Sequence, residues 1–401
     1  MAPVWFWAIT LFALGCCIGS FLNVVIWRLP RDESVNKPAR SYCPHCEKPI
    51  AWFDNIPVLS WIALRAKCRQ CGGPISVRYP LVELATGLLF GGLFLGIYAG
   101  PLRPDMGRWP NDWPGLLAAL VMMAGLLAAS LIDLEHYYIP LSTVWIGGLA
   151  TVSLATIFPS QPGQRWLPMG NPTTTAWAIG GIVGLGIAML LVRLRVLPQS
   201  FPVEPDEVDE ADENAKLNSP PESTGKGLPP GEDAVGVTVG ARREVLKEAL
   251  FLLPVIACGM VAGYLTGSEG PAYNIWQSAC RWPHLLGLGG SLFGLLIGGG
   301  TVWAVRILGT LAFGREAMGM GDVDLLAAAG ALVGWGGAVV AFFIAPFFGL
   351  LIAIVQFVRH GRRELPFGPY LTLGVLTVLM FYDRFAAAFA PSLTIIFSGG
   401  Q

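Results

Sequence analysis

Two aspartates in a strongly apolar chain carry the first sign of chemistry. Asp133 closes one hydrophobic stretch and Asp322 opens another, so each sits where an apolar span meets a polar loop. An ionisable side chain at a membrane boundary is costly to keep, which makes both acids functional-site candidates. Asp322 ends the run Met318-Gly319-Met320-Gly321-Asp322, in which Gly319 and Gly321 remove side-chain bulk and let another group come close to the carboxylate. Two carboxyl groups within a few ångströms of each other resist double ionisation and share a proton. One then acts as a base toward water while the other, protonated, polarises a carbonyl, a division of labour that hydrolyses peptide bonds. Taken singly, either acid could be a helix-end group facing water, and Asp322 an N-terminal cap.

A second constellation is built from thiols. Cys43-Pro44-His45-Cys46 and Cys68-Arg69-Gln70-Cys71 are two C-x2-C knuckles with 21 residues between them, the spacing of a four-thiolate zinc ribbon. Four cysteines complete a tetrahedron, so the metal would be structural and His45 is not needed as a ligand. Cys16, Cys17, Cys258 and Cys280 read as small membrane or boundary side chains.

These groups must be positioned by a membrane protein. The 401-residue chain is 54% hydrophobic and only 13% charged, with a mean hydropathy of +0.57, too apolar for an ordinary soluble domain. Apolar spans are expected at 4–27, 81–99, 115–133, 142–158, 174–192, 247–266, 285–305, 323–340, 341–358 and 369–390, all helical because lipid leaves open strands unsatisfied. As one helix, 323–358 would run about 54 Å, so the glycines of Gly334-Trp335-Gly336-Gly337 are expected to divide it. The fold class is therefore an all-α polytopic membrane protein of about eight to ten transmembrane helices with a small zinc-ribbon-like loop.

Lys and Arg set the expected orientation. The loop from Arg28 to Tyr79 is rich in both and should be cytoplasmic, which leaves the N-terminus outside and returns Arg193, Arg306 and Arg359 to the cytoplasm. Asp133 and Asp322 then fall on the same, cytoplasmic, side. No Lys or Arg precedes Arg28, so the first span reads as a retained anchor and not a signal peptide. The domain reading is 1–27 as the first transmembrane helix, 28–80 as the zinc loop, 81–196 as transmembrane helices carrying Asp133, 197–246 as an acidic insert without fixed structure, and 247–401 as transmembrane helices carrying the GxGD motif.

Other motifs are absorbed by the membrane. Gly290, Gly294 and Gly298 repeat every four residues inside an apolar span, a helix-packing pattern and not a nucleotide loop. The basic residues are accounted for by topology, which excludes a nucleic-acid surface. Arg78 and Glu83 are expected to pair at the entry to the second span, the alternative being that they line the substrate path, and Glu135 and Asp324 are expected to be boundary side chains.

In its ordered motifs the chain resembles the type IV prepilin peptidases, intramembrane aspartyl proteases of the GxGD type. The likeness rests on Gly19-Ser20-Phe21-Leu22-Asn23 with Arg28-Leu29-Pro30, the Cys43/Cys46/Cys68/Cys71 loop, Asp54-Asn55-Ile56-Pro57, Ile132-Asp133-Leu134 with Ile139-Pro140, Gly319-Met320-Gly321-Asp322, and Pro366-Phe367-Gly368-Pro369. The resemblance implies Asp133 and Asp322 as the catalytic pair, prepilins or type II secretion pseudopilins as substrates, and cleavage after a glycine at the cytoplasmic membrane face. Many members also methylate the new N-terminus with S-adenosylmethionine, an activity associated with the cytoplasmic loop. Three positions depart from the pattern: Leu141 follows Pro140 where an acid or amide is usual, Asp324 stands where Lys is common, and Asp54 stands where Glu is usual. The competing class is non-enzymatic, a zinc-stapled scaffold or a proton-coupled transporter. A transporter would show inverted halves with polar groups at mid-membrane.

Overall fold

Long apolar runs without soluble-strand alternation leave the backbone one way to satisfy itself in lipid, and each becomes a helix. The computed structural model describes residues 3–37, 41–100, 102, 111–160, 167–198, 233–360 and 366–398. The helices are α1 Val4–Arg28, α2 Leu59–Ala63, α3 Arg78–Tyr98, α4 Trp113–His136, α5 Leu141–Ile157, α6 Pro172–Arg193, α7 Asp233–Thr266, α8 Tyr273–Ala279, α9 Pro283–Phe313, α10 Met320–His360 and α11 Gly368–Ser398. Seven are long and apolar enough to cross a membrane, and α5 is a shorter apolar helix. Among the described residues there is no strand, only the isolated bridges Tyr42–Pro49 and Lys67–Pro74.

The division expected in 323–358 is present but lies earlier than the boundary at 340. Gly334 has φ 73° and ψ 170°, outside the helical region. A Cβ on Gly330 would stand 3.4 Å from Ala338 Cβ, whereas eight residues of unbroken helix would separate them by about 12 Å. The chain therefore doubles back at Gly334, and α10 consists of two antiparallel arms, 320–333 and 335–360. The first arm is only about 21 Å long, shorter than the hydrocarbon core. Pro168, in the connection between α5 and α6, packs 3.5 Å from where a Gly334 Cβ would be and so fills the space over the turn. With these arms counted separately, ten apolar arms occur in the expected order.

Small residues set the helix contacts. Gly294 and Gly298 of α9 lie directly against the backbone carbonyls of Gly330 and Leu326 in the first arm of α10, as the four-residue spacing predicts. Gly290 instead meets the 168–170 segment. At the other side of the bundle Gly15 and Gly19 bring α1 onto α3, where their Cβ atoms would meet Thr86 O at 2.6 Å and Glu83 Cα at 2.7 Å. Most of the expected acidic insert lies outside the described residues, but its last part does not match the expectation. α7 begins at Asp233, within the segment read as unstructured to 246. Near the end of that stretch Glu244 pairs with Lys247 at 2.6 Å, one turn apart.

Candidate active site and cysteine loop

Asp133 lies in the last turns of α4, which Tyr137 stops by adopting φ 55° and donating its N–H to Asp133 O at 2.9 Å. Its side chain, 6% exposed, turns inward. There Asp133 Oδ2 accepts the Gly368 backbone N–H at 3.1 Å. Gly368 is the first residue of α11, whose opening N–H groups have no intrahelical acceptor. A Cβ on Gly368 would sit 2.6 Å from that same Oδ2, so only glycine lets the helix start reach the carboxylate. One turn deeper, buried Ser130 Oγ and Thr372 Oγ1 are hydrogen-bonded at 2.8 Å and fix the register of α4 against α11.

Asp322 occupies the equivalent place on α10. It is the third residue of that helix, 8% exposed, and the Gly319 backbone N–H is hydrogen-bonded to its carboxylate. That is one half of a capping box, the bland role foreseen for this acid. Capping uses only part of the group, however: Asp322 Oδ1 is buried with no hydrogen-bond partner among the described residues. An unmatched buried carboxylate oxygen is expensive and calls for an explanation other than stability.

Ile139 joins the two acids. Its Cβ lies 2.8 Å from where a Gly321 Cβ would be, and its Cδ1 lies 3.1 Å from that of Gly368. The start of α10, the start of α11 and the end of α4 thus meet on one side chain, and Asp322 stands within electrostatic reach of Asp133. Each carboxylate faces a helix N-terminus, where the peptide dipoles favour negative charge. Gly319 and Gly321 are not equivalent, since a Cβ on Gly319 would meet nothing nearer than Asp322 Oδ2 at 3.8 Å.

Neighbouring charges are arranged around this pair. Asp324 points away from it and accepts the Trp145 indole N–H at 3.2 Å. Arg78 pairs with Glu135 at 3.0 Å and not with Glu83 as expected, which ties the start of α3 to the end of α4. Glu83 instead accepts the Val58 backbone N–H at 2.7 Å, holding the cysteine loop against α3. Sequence reading gave Arg306 only a topological role and missed its partners. Buried Arg306 of α9 pairs with buried Glu248 of α7 at 2.8 Å, with Trp303 Nε1 on the other Glu248 oxygen at 3.1 Å. The same guanidinium reaches Glu316 and the carbonyl of Met318. It therefore grips the turn that leads into Gly319-Met320-Gly321-Asp322. The available signal was an acid and a base at the ends of separate apolar spans, Glu248 at the start of 247–266 and Arg306 just past 285–305.

The cysteine loop leaves α1 and re-enters at α3, at the same end. The Cys43, Cys46, Cys68 and Cys71 sulfurs all lie within 4.8 Å of one another, and Cys43 and Cys71 are 3.9 Å apart. Four sulfurs around one zinc stand about 3.8 Å apart, so the set fits a tetrahedral ion. The two knuckles repeat the same turn: Cys43 N–H to Lys48 O and Cys68 N–H to Gly73 O, at 3.0 and 2.8 Å. The residue after each knuckle is left-handed, Glu47 at φ 55° and Gly72 at φ 71°. Between the loop and α1 lies a cavity of about 570 Å³, lined in part by Cys17, Ser20, Arg28, Asn36 and Asn55.

Fold and site together define a multi-pass helical membrane protein with a four-cysteine loop that could hold a metal ion at its carboxylate end. Two family descriptions match the chain, the bacterial peptidase A24 N-terminal domain over residues 13–97 and the type IV leader peptidase family over residues 250–354. The chain is thus similar to the type IV leader peptidase family over its C-terminal membrane part. The first match contains the cysteine loop and the second Asp322, while Asp133 falls between them. A prepilin leader peptidase/N-methyltransferase of Myxococcus xanthus (strain DK1622) is 51% identical over 148 residues, 37% of this chain and 40% of that protein. A type 4 prepilin-like proteins leader peptide-processing enzyme of Escherichia coli O78:H11 (strain H10407 / ETEC) is 41% identical over 45% of this chain and 64% of its own length. The alignments thus span less than two thirds of these two relatives. A prepilin leader peptidase/N-methyltransferase of Aeromonas hydrophila is 27% identical across 94% of this chain and 92% of its own. No solved structure matches.

Proposed function

We propose that this protein is an intramembrane aspartyl endopeptidase that removes the leader peptide of type IV prepilins or type II secretion pseudopilins, with Asp133 and Asp322 as the catalytic pair. The observation that carries the reading is the meeting of two buried carboxylates at two helix N-termini, one with an oxygen left free. The pair holds one proton between its members. The ionised acid takes a proton from water as it attacks the scissile carbonyl; the protonated acid hydrogen-bonds the carbonyl oxygen and then protonates the leaving amine. Ile139 packs against Gly321 and Gly368 and so brings the two helix starts that carry the acids together. Both acids lie at one end of the bundle and not at mid-depth, where a transporter would place its site.

The Lys and Arg bias assigns that end to the cytoplasmic face of the bacterial inner membrane. Zinc bound by Cys43, Cys46, Cys68 and Cys71 would be structural, because four thiolates leave no open position. The loop–α1 cavity is the place we assign to S-adenosylmethionine, in a second reaction that methylates the new N-terminus. Its volume is that of a small-molecule site, and Ser20, Asn36 and Asn55 line it with hydrogen-bonding groups. When bound, that compound supplies an electrophilic methyl group; the residues of the cavity would only orient it beside the released amine.

Incubating the chain in lipid vesicles with a prepilin, and comparing it with Asp133→Asn and Asp322→Asn, tests the cleavage. Leader loss is expected to fall by at least about a thousandfold in either variant. Normal processing by one of them would end the paired-acid mechanism.

A further inference from the structure

The cysteine loop carries a row of large apolar side chains that no described residue covers. Trp52 is 81% exposed, Leu59 65% and Ile62 60%, with Phe53 and Ile56 also exposed between them. In water such a row on a small loop would be a liability. The segment is nonetheless tightly built. Val58, with φ 62° and ψ −50°, sits at the centre of a strained γ-turn closed by the Leu59 N–H on Pro57 O at 2.6 Å. The turn is held from below by Glu83, which accepts the Val58 N–H. It is this turn that starts α2 and presents Leu59 and Ile62 on one outer edge.

Backbone groups along the row are already paired within the protein. Asp54 N–H bonds Ala51 O, Ser60 N–H bonds Ile56 O and Ile62 N–H bonds Val58 O, at 3.0, 3.0 and 3.3 Å. Ser60 Oγ accepts the Ile56 N–H at 2.9 Å and donates to Phe53 O at 3.0 Å. With these groups paired internally, the segment has less backbone to desolvate on entering an apolar medium. Its depth fits that medium. Glu83 lies about 7.5 Å along α3 from Arg78, so the bond to Val58 draws the loop down to the boundary between headgroups and acyl chains. Trp27, stacked under Arg31 at 3.7 Å, and Tyr79 mark the same level on α1 and α3 as partly exposed aromatics. On α3 the exposed face continues into the membrane as Leu81, Leu84 and Leu88.

We infer that the edge formed by Trp52, Phe53, Ile56, Leu59 and Ile62 is inserted into the leaflet at the carboxylate end, so that the metal loop is an interfacial anchor lying on anionic phospholipid. Charge complements the apolar edge: Lys48, Arg65 and Lys67 are exposed around it, where they meet lipid phosphates, while Arg69 is paired with Asp54. The inference is independent of the proposed cleavage. Its consequence for that reaction is geometric, since a loop laid on the leaflet stays beside any apolar helix released there.

The experiment places a benzophenone amino acid singly at Leu59, Ile62 or Leu88 in the full chain, in vesicles of phosphatidylethanolamine and phosphatidylglycerol. All three side chains are exposed, so replacement removes no packing. After irradiation, peptides containing 59 and 62 are expected to carry phospholipid masses at a yield within about threefold of position 88, the lipid-facing reference. Phospholipid adducts at 88 with none at 59 and 62 would overturn the inference. So would adducts at 59 and 62 that appear only with an added prepilin and join protein to protein, because the edge would then be a substrate-docking surface.

Discussion

The carboxylate site and the cysteine loop share one end of the molecule and are built by opposite means. Around the acids, helix ends meet through glycine and close-packed side chains: Ile132, Leu325 and Leu326 are fully buried, and Ile139 wedges between α10 and α11. Over residues 41–77 only Cys43 and Ser60 are buried. A loop of that size cannot draw stability from a hydrophobic core and needs a staple, which the four thiolates can provide through a metal. The acids should therefore keep their arrangement when the metal is lost, and the loop should not.

Removing the metal proposed for the four thiolates is the most severe way to break this contrast. A chelator, or Cys43→Ser, is expected to make residues 41–77 susceptible to protease at least about a hundredfold faster, while the helical circular-dichroism signal stays nearly unchanged. Metal analysis of the same samples reads the stoichiometry. An apo loop as resistant as the loaded one would show that the inserted edge and the Glu83 tether, not the metal, hold it together.

Glycine replacements sharpen the other half of the comparison. Gly368→Ala places a methyl group 2.6 Å from Asp133 Oδ2, and Gly321→Ala places one 2.8 Å from Ile139 Cβ. Either should displace a carboxylate by a fraction of an ångström and lower prepilin cleavage about a hundredfold with zinc content intact. Gly319→Ala meets only Asp322 Oδ2 at 3.8 Å, ordinary contact, and should change the rate by no more than about threefold. Equal losses at positions 319 and 368 would mean that the glycines act through backbone freedom and not through space.

Those glycines also show how far the sequence could be read. Spans, the four cysteines and the two acids were legible because hydropathy, C-x2-C spacing and a charge at a span boundary are local signals. The turn in 323–358 was legible for the same reason, though Gly334 marks its position better than hydropathy did. Partnerships between distant segments were not. Nothing local says that Gly368 donates to Asp133, that Arg78 chooses Glu135 over Glu83, or that Arg306 reaches from α9 to Met318. Each depends on which helix ends the bundle brings together, a property of packing across many residues. Glu47 is a smaller case, since only its match to Gly72 in the other knuckle reveals the left-handed position.

The smallest effect concerns Asp54, the acid that stands where the family resemblance leads one to expect Glu. Arg69 Nε and Nη2 both bond its carboxylate, at 2.8 and 2.7 Å, and that hydrogen bonding holds the Asp54 carboxyl below the usual carboxylate range. Arg69 is largely exposed, so Arg69→Met should weaken zinc retention by only about two- to fivefold. The pH dependence has a definite sign. A lowered carboxyl favours the folded loop at every pH above the ordinary aspartate value of about 4, and its contribution fades only as the pH falls below that toward the folded value. The wild-type and Arg69→Met loops, compared by zinc release from about pH 5 to pH 8, should therefore differ by a constant factor. A difference that grew or vanished within that window would show that Arg69 acts on the thiolates themselves. The loop's stability would then be set by charge as well as by its metal, and the contrast with the carboxylate site would narrow.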